Sequence, residues 1–283
     1  MKSSKKKLSS IRKNNHLFNW DHLIWVKGLS KGKKNKDFKN YEFLTFEDFQ
    51  RRAKNEKLSP IEKIGFPDSY RKGFEQLIFN DIKSKLRGFR ESNQVILDIG
   101  CGCSELASKI IEHCQQNSSS LLLVDSSEML SLLPDNPFIE KFPCRFPDCQ
   151  ALFEKYSGKV DSILIYSVLQ HVFLDASLFV FLDRASELLK DGGEMLIGDI
   201  PNISKRKRFF SSKSGIACHQ KFTGTDEIPK VDFMVVEDLK IDDGVVFGIM
   251  QRYRNFGFDT YLLPQNEQLP IASRREDILV KKP

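Results

Sequence analysis

The hydrophobic pattern of the chain changes near residue 95. Before that point apolar residues recur at helical spacing, and after it short, wholly apolar runs alternate with helical stretches. "YEFLTFEDFQRRAKNEKL" reads as helical material ending before Pro60. "YRKGFEQLIFNDIKSKL" puts Phe74, Leu77, Ile78 and Ile82 on one side, with Asp68 or Ser69 as its expected cap. From Val95 the order is a strand "VILDI", then a helix "SELASKIIEHCQQ" with Leu106, Ile110, Ile111 and Cys114 on one face. A strand "LLLVD", a short helix "SSEMLSLL" capped by Ser126 or Ser127, and a third strand at "CRF" follow. A helix around "CQALFEKY" then leads to a fourth strand, "DSILIY". "ASLFVFLDRASELLK" places Leu178, Phe181, Leu182, Ala185, Leu188 and Leu189 on one face. Gly192 and Gly193 stop it before a fifth strand, "EMLIGDI". Near the end, "GVVFGIMQRYRNFGF" reads as a helix, and "DTYLL" and "DILVKK" as two strands without a long helix between them.

Apolar strands separated by helices predict an α/β fold, a doubly wound and mostly parallel seven-stranded sheet covered on both faces. The last pair adds an antiparallel strand at the edge. The expected organisation is a basic tail over 1–36, a helical lid over 37–93 and one domain over 94–283. A length of 283 residues, 40% hydrophobic and 29% charged, suits a soluble protein of that size. The longest apolar runs are far short of the ~20 residues that cross a bilayer. No small-residue cleavage pattern follows the lysine-rich start, which argues against a secretory signal. Six cysteines, two of them in a C-x-C, do not form a secreted disulfide framework, so the expected location is the cytoplasm.

The net charge of +6 is unevenly spread. Residues 1–36 carry 11 Lys/Arg against Asp21 alone, leaving 33 Lys/Arg against 37 acids in the rest. The tail reads either as a tether to nucleic acid or anionic lipid, or as a solvated terminus.

The loop "DIGCGCS" joins a strand to a helix, the place where free helix N–H groups and close backbone approach make a nucleotide site. No lysine follows, which excludes a phosphate-binding P-loop, and Glu105 stands where the dinucleotide fingerprint needs its third glycine. Asp98 is a poor neighbour for pyrophosphate and a good one for a cationic ligand. A metal held by Cys101 and Cys103 is the weaker reading, since C-x-C is an uncommon ligand spacing. Those thiols and Cys114 read as small apolar packing, and no metal is expected.

With Asp98, Gly100 and Gly102, and Ser104 in a glycine's place, the loop resembles the first motif of class I S-adenosylmethionine-dependent methyltransferases. Further matches follow in order: Asp125 ending the second strand, Asp148 in "FPDCQ", "VDSILIYSVLQHV" from Asp161 to His171, and "ELLKDGGEMLIGD". The resemblance implies S-adenosyl-L-methionine as cofactor, wrapped by Asp98, Gly100, Cys101 and Gly102. It implies ribose contacts from Asp125 with Ser126, adenine contacts from Asp148 with Cys149, and Ser167 and Tyr166 facing the cofactor. Each has a plainer alternative: Asp125 as a helix cap, Asp148 as a turn residue, His171 as a structural histidine.

Methyl transfer to a hydroxyl needs alignment and removal of a proton, and His171 is the candidate general base, with Tyr166 beside it. "IYSVLQ" lacks the prolines found in many enzymes that methylate nucleic-acid bases, so nucleic acid is not the favoured partner. "IGFPDSYRKGFEQLIFNDI" and "GFDTYLLPQNEQLPIASRREDILVKK" resemble segments of bacterial methyltransferases in surface-polysaccharide and nucleotide-sugar gene clusters. That implies a small, sugar-linked hydroxyl or amine as acceptor, with Tyr70, Arg71, Arg274 and Arg275 as contacts to its anionic or polyol parts. The arginines pairing on the surface with Asp68, Glu276 or Asp277 is the alternative. An RNA or protein methyltransferase using the basic tail, or a binding subunit without catalysis, are the other readings.

Overall fold

In a computed structural model, which describes Tyr41 and residues 43–283, the apolar segments pair into one sheet. Its strands are β1 (Val95–Ile99), β2 (Ser120–Asp125), β3 (Ile139–Pro143), β4 (Val160–Tyr166), β5 (Leu189–Pro201), β6 (Asp259–Pro264) and β7 (Arg275–Lys281). They lie in the order β3-β2-β1-β4-β5-β7-β6. The first five pair in parallel, as in β1 with β2 and β4, and β7 runs antiparallel to both β5 and β6. The seven-stranded, mostly parallel sheet and its reversed edge pair agree with the sequence. Strand order reverses between β1 and β4, where a crevice opens at the carboxyl ends of parallel strands.

Side chains alternate across the sheet because successive Cβ atoms point to opposite faces. Leu97, Ile99, Leu122, Val124, Ile163 and Ile165 pack on one face, against helices α7 (Gln150–Tyr156), α9 (Leu178–Glu187) and α12 (Asp243–Asn255). Ile96, Leu121, Leu123 and Leu164 pack on the other, against helices α4 (Glu75–Lys85) and α5 (Glu105–Gln116). The chain enters through α1 (Phe46–Ala53), α2 (Pro60–Lys63) and α3 (Asp68–Arg71), the described helices of the expected lid besides α4. Between the strands also stand α6 (Ser127–Leu130) and α8 (Leu169–Asp175), and α10 (Ile203–Ser211) and α11 (Lys213–Thr223) follow β5. The expected tail over 1–36 lies outside the described residues. No described helix is long and apolar enough to cross a membrane.

Four local expectations differ. The helix expected from Tyr70 is broken: Gly73 takes φ +88°, and its N–H donates to Glu75 at 2.8 Å before α4 begins. Asp68 then accepts from the Ser59 hydroxyl, and neither it nor Ser69 caps a helix. The third strand is "IEKFP", one step before "CRF". Of its five residues Phe142 alone is buried, so the edge strand lacks an apolar run to mark it. Leu189 opens β5 and does not close the preceding helix. α10 and α11 were not expected, because the basic run "SKRKR" masks their period; the Asn202 side chain caps α10 by accepting from the Ser204 and Lys205 N–H groups.

A buried ion cluster ties α4 to the sheet. Lys85 Nζ donates to Asp81 and to Asp277, each at 2.6 Å, and all three side chains are nearly enclosed. Removing one partner of such a cluster leaves charge stranded in a low-dielectric interior. Lys85→Met is expected to lower the free energy of unfolding by about 3–5 kcal/mol, read from urea titration. An unchanged midpoint would show that the cluster contributes nothing to the fold.

Candidate functional site

The strand-end crevice holds a cleft of about 1100 Å³, counted with its mouth. Its floor is the turn after β1. Gly100 and Gly102 take φ of +76° and +63°, and a Cβ at either would lie 2.6 Å from Val168 or Ile64. Only glycine satisfies both the backbone and the space there. The turn carries the Gly102 N–H to Asp125 Oδ2 at 3.0 Å, while the Ser126 N–H donates to Oδ1 at 2.7 Å. α5 starts behind it at Ser104, whose side chain makes no capping bond.

Asp98 and Asp125 line this cleft together. Burial pushes the Asp98 carboxyl up to about 8, with the neighbouring Asp125 adding to the rise. Burial pushes Asp125 up to about 6 against the two N–H donors. No cation enters for either group. Burial also drives the Cys101 thiol well above its ordinary value and Cys103 to about 11, so both remain protonated near neutrality. Among the described residues no group of three His, Cys, Asp or Glu side chains is placed to hold a metal.

The opposite wall comes from the end of β4 and from the chain before β1. Tyr166, Ser167 and His171 stand on one side, and Leu44, Phe46, Phe49, Ile64, Phe66 and Arg71 close over the cleft. Ser167 and Asp199 hold left-handed φ of +60° and +58° at the ends of neighbouring strands, and the Ser167 hydroxyl donates to Asp199 at 2.6 Å. Such strain persists where the surroundings over-determine it. The Tyr166 ring crosses Gly198, where a Cβ would sit 2.4 Å away. Burial, then the charges of Asp199 and Asp277, keeps its hydroxyl protonated.

His171 borders two spaces, this cleft and a second cavity of about 830 Å³ lined by Phe43, Phe66, Gln170, Phe173, Lys240 and Arg275 among others. Burial pushes its imidazole down to about 4, opposed by a backbone hydrogen bond with Leu44 and reinforced by Arg275. Phe49 meets the ring edge-on at 4.9 Å. Nδ1 is enclosed without a hydrogen-bond partner, as is Gln170 Oε1. The sequence suggested a base with an ordinary pKa; the site instead holds a neutral ring with a free lone pair.

Of the residues singled out from the sequence, Asp98, Gly100, Cys101, Gly102, Asp125, Tyr166, Ser167, His171 and Arg71 meet at the main cleft. Others do not. Asp148 is exposed in a turn, and Cys149 is buried in a disulfide with Cys144, so the cleft is lined there by Cys144, Arg145 and Phe146. Ser126 lies beneath the surface, its hydroxyl accepting the Met129 N–H as the cap of α6. Arg274 is turned away, its guanidinium over Phe209 and Phe210 at 5.7 and 5.2 Å. Arg275 lines the second cavity and donates to the Tyr70 hydroxyl at 3.2 Å. The structure sets Arg275 beside Asp199 at 3.8 Å. Asp199, Gln265, Phe49 and Phe66 went unread, since nothing local marks them.

Residues 97–195 match the family model described as a methyltransferase domain. Solved structures share the fold at low identity. The CurJ carbon methyltransferase is 17% identical with a TM-score of 0.50, over 86% of this chain and 66% of that one. The chain thus spans just under two thirds of its length. The plantazolicin methyltransferase BamL, crystallised with a triazolic desmethylPZN analog and SAH, is 14% identical with a TM-score of 0.50, over 84% and 98% of the two chains. Its counterpart BpumL, with the same kinds of ligand, is 13% identical with a TM-score of 0.50 over the same shares. No curated protein matches the chain.

The two buried acids make the ligand affinity of the cleft depend on pH. A cationic ligand needs Asp98 and Asp125 ionised, so its affinity is expected to rise between pH 6 and pH 8, with protons released near pH 7. Calorimetry with a sulfonium ligand in buffers of different ionisation heat reads both. Stability has the opposite sign. A folded-state pKa above the unfolded value means that the cost of ionising Asp98 grows from about pH 4 to about pH 8. Asp98→Asn should therefore stabilise the free protein more at pH 8 than at pH 5, while weakening the ligand roughly tenfold. A pH-independent affinity would contradict this pairing.

Proposed function

We propose that the chain transfers a methyl group from S-adenosyl-L-methionine to a small acceptor, a sugar-linked hydroxyl or amine. The observation that carries the reading is the pair of buried, unneutralised carboxylates, Asp98 and Asp125, which line one cleft together with the Gly100–Gly102 turn. These residues fit a donor with an ammonium and a sulfonium and no phosphate. Asp98 would hold the ammonium, Asp125 the ribose hydroxyls, and the backbone of Gly100, Cys101 and Gly102 the amino-acid end. Phe146 and Arg145 border the space left for the adenine in place of Asp148. The bound donor supplies an electrophilic methyl on sulfur.

Acceptor and base meet at His171. The second cavity offers aromatic walls and the Arg275 guanidinium, which suit the faces of a sugar and its anionic or polyol parts. His171 Nδ1 would accept the hydroxyl proton of the acceptor, and the donor would supply its sulfonium methyl to that oxygen and leave as the sulfide. The Leu44 backbone and the Phe49 edge hold the imidazole, and a pKa of about 4 leaves its lone pair free at neutral pH while making it a weaker base than an ordinary histidine. Residues 43–71 act as a lid that excludes water from the transfer. A cytoplasmic setting suits the four free cysteines, while the Cys144–Cys149 disulfide counts against it. The RNA or protein reading depends on residues 1–36, outside the described residues.

Radiolabelled donor incubated with nucleotide-sugars, bulk RNA and cell-extract protein tests the acceptor class, and label is expected in the nucleotide-sugar fraction. Label confined to RNA would overturn it. His171→Ala is expected to lower kcat by about 10²–10⁴-fold with donor binding intact. Turnover in the unaltered enzyme should fall through protonation of His171 only as pH approaches about 4. Near-normal turnover in the variant removes the base from the mechanism.

A further inference from the structure

Arg71 reaches the cleft from α3, outside the stretch that matches the methyltransferase domain. It is 4% exposed, and its guanidinium lies over the rings of Phe66 and Tyr166, at 5.1 and 5.5 Å. Nη1 donates to the Ser167 hydroxyl at 3.1 Å, and Nε is enclosed without a partner. The Ser167 hydroxyl passes its own proton toward Asp199, so the nearest carboxylate on this route is one hydroxyl removed. Asp199 is further engaged by Gln265 and Arg275.

A guanidinium stays charged at any pH the fold survives, and burying it costs several kcal/mol unless an anion and full hydrogen bonding answer it. A neutral hydroxyl answers neither requirement. On the same cleft Asp98 is buried and feels Asp125, with no cation offsetting it. Arg71 and Asp98 thus line one space as opposite charges that do not neutralise each other. The ligand chemistry that satisfies both is a zwitterion.

We propose that Arg71 binds the carboxylate of the donor's amino-acid end through Nε–H, with Asp98 on the ammonium of the same α-carbon. This rests on the methyl-donor reading and moves Arg71 from the acceptor, where the sequence placed it, to the donor. Ser167 and Asp199 are positioning residues, whose left-handed backbones hold Nη1 beside the cleft that Arg71 lines. The lid segment thereby senses the donor directly, and the cleft closes around a complete amino-acid end.

Two ligands separate the possibilities: S-adenosylhomocysteine, which has the amino-acid end, and 5′-methylthioadenosine, which lacks it. In calorimetry on the full chain, Arg71→Met is expected to weaken S-adenosylhomocysteine about 10- to 100-fold, the worth of a charge-assisted hydrogen bond. Binding of 5′-methylthioadenosine should change less than about twofold, which also reports that the cleft is folded. Arg71→Lys, retaining the charge, should recover part of the lost affinity. Unchanged S-adenosylhomocysteine affinity in Arg71→Met, or equal weakening of both ligands in the two variants, overturns the proposal. If the unaltered protein binds neither ligand, the methyl-donor reading itself fails.

Discussion

Asp98 and Asp125 stand at the carboxyl ends of adjacent strands, each driven toward its neutral form by burial and with no cation to offset it. Their position depends on the turn between β1 and α5. Two glycines in left-handed conformation fold that turn tightly enough for the Gly102 N–H to reach Asp125. The same turn lies so close to Val168 and Ile64 that a Cβ at either glycine would come within 2.6 Å of one of them. Sheet order then decides what faces the cleft, because the reversal between β1 and β4 brings Tyr166, Ser167 and His171 opposite the acids.

Buried charge serves two purposes in this molecule, and pairing tells them apart. Lys85, Asp81 and Asp277 form a closed cluster, with the Asp277 carboxylate also holding the Asp199 N–H at 2.8 Å. That cluster joins helix to sheet and has no valence left for a ligand. Asp98 lines the cleft without a cation, and Arg71 Nε and His171 Nδ1 are enclosed beside it without partners, at a cost that the apolar packing of both sheet faces must offset. Arg71 Nε, Gln170 Oε1 and His171 Nδ1, enclosed without partners near the strained backbone of Ser167 and Asp199, mark a place where stability has been given up for recognition.

What the sequence revealed was local. Asp98, Gly100, Gly102 and Asp125 belong to short strand–turn–helix units, and strand patterning placed each beside the cleft. Asp148 failed for a related reason. Its edge strand is amphipathic and short, so the turn after it was set a step late, and the Cys144–Cys149 disulfide and the exposed turn were not foreseen. Arg71, Asp199 and Gln265 come from three separate segments that only the tertiary fold unites, and no spacing rule connects them. The low pKa of His171 likewise arises from burial beneath Leu44 and Phe49, residues with no patterned relation to it.

The central claim is that the open charges of the cleft are complementary to a methyl donor. A crystal structure of the full chain grown with S-adenosylhomocysteine tests it most directly. The account predicts the ligand along the Gly100–Gly102 turn, its ammonium on Asp98 and its ribose hydroxyls on Asp125. A cleft without the ligand at saturating concentration, or the ligand bound away from both acids, would contradict it.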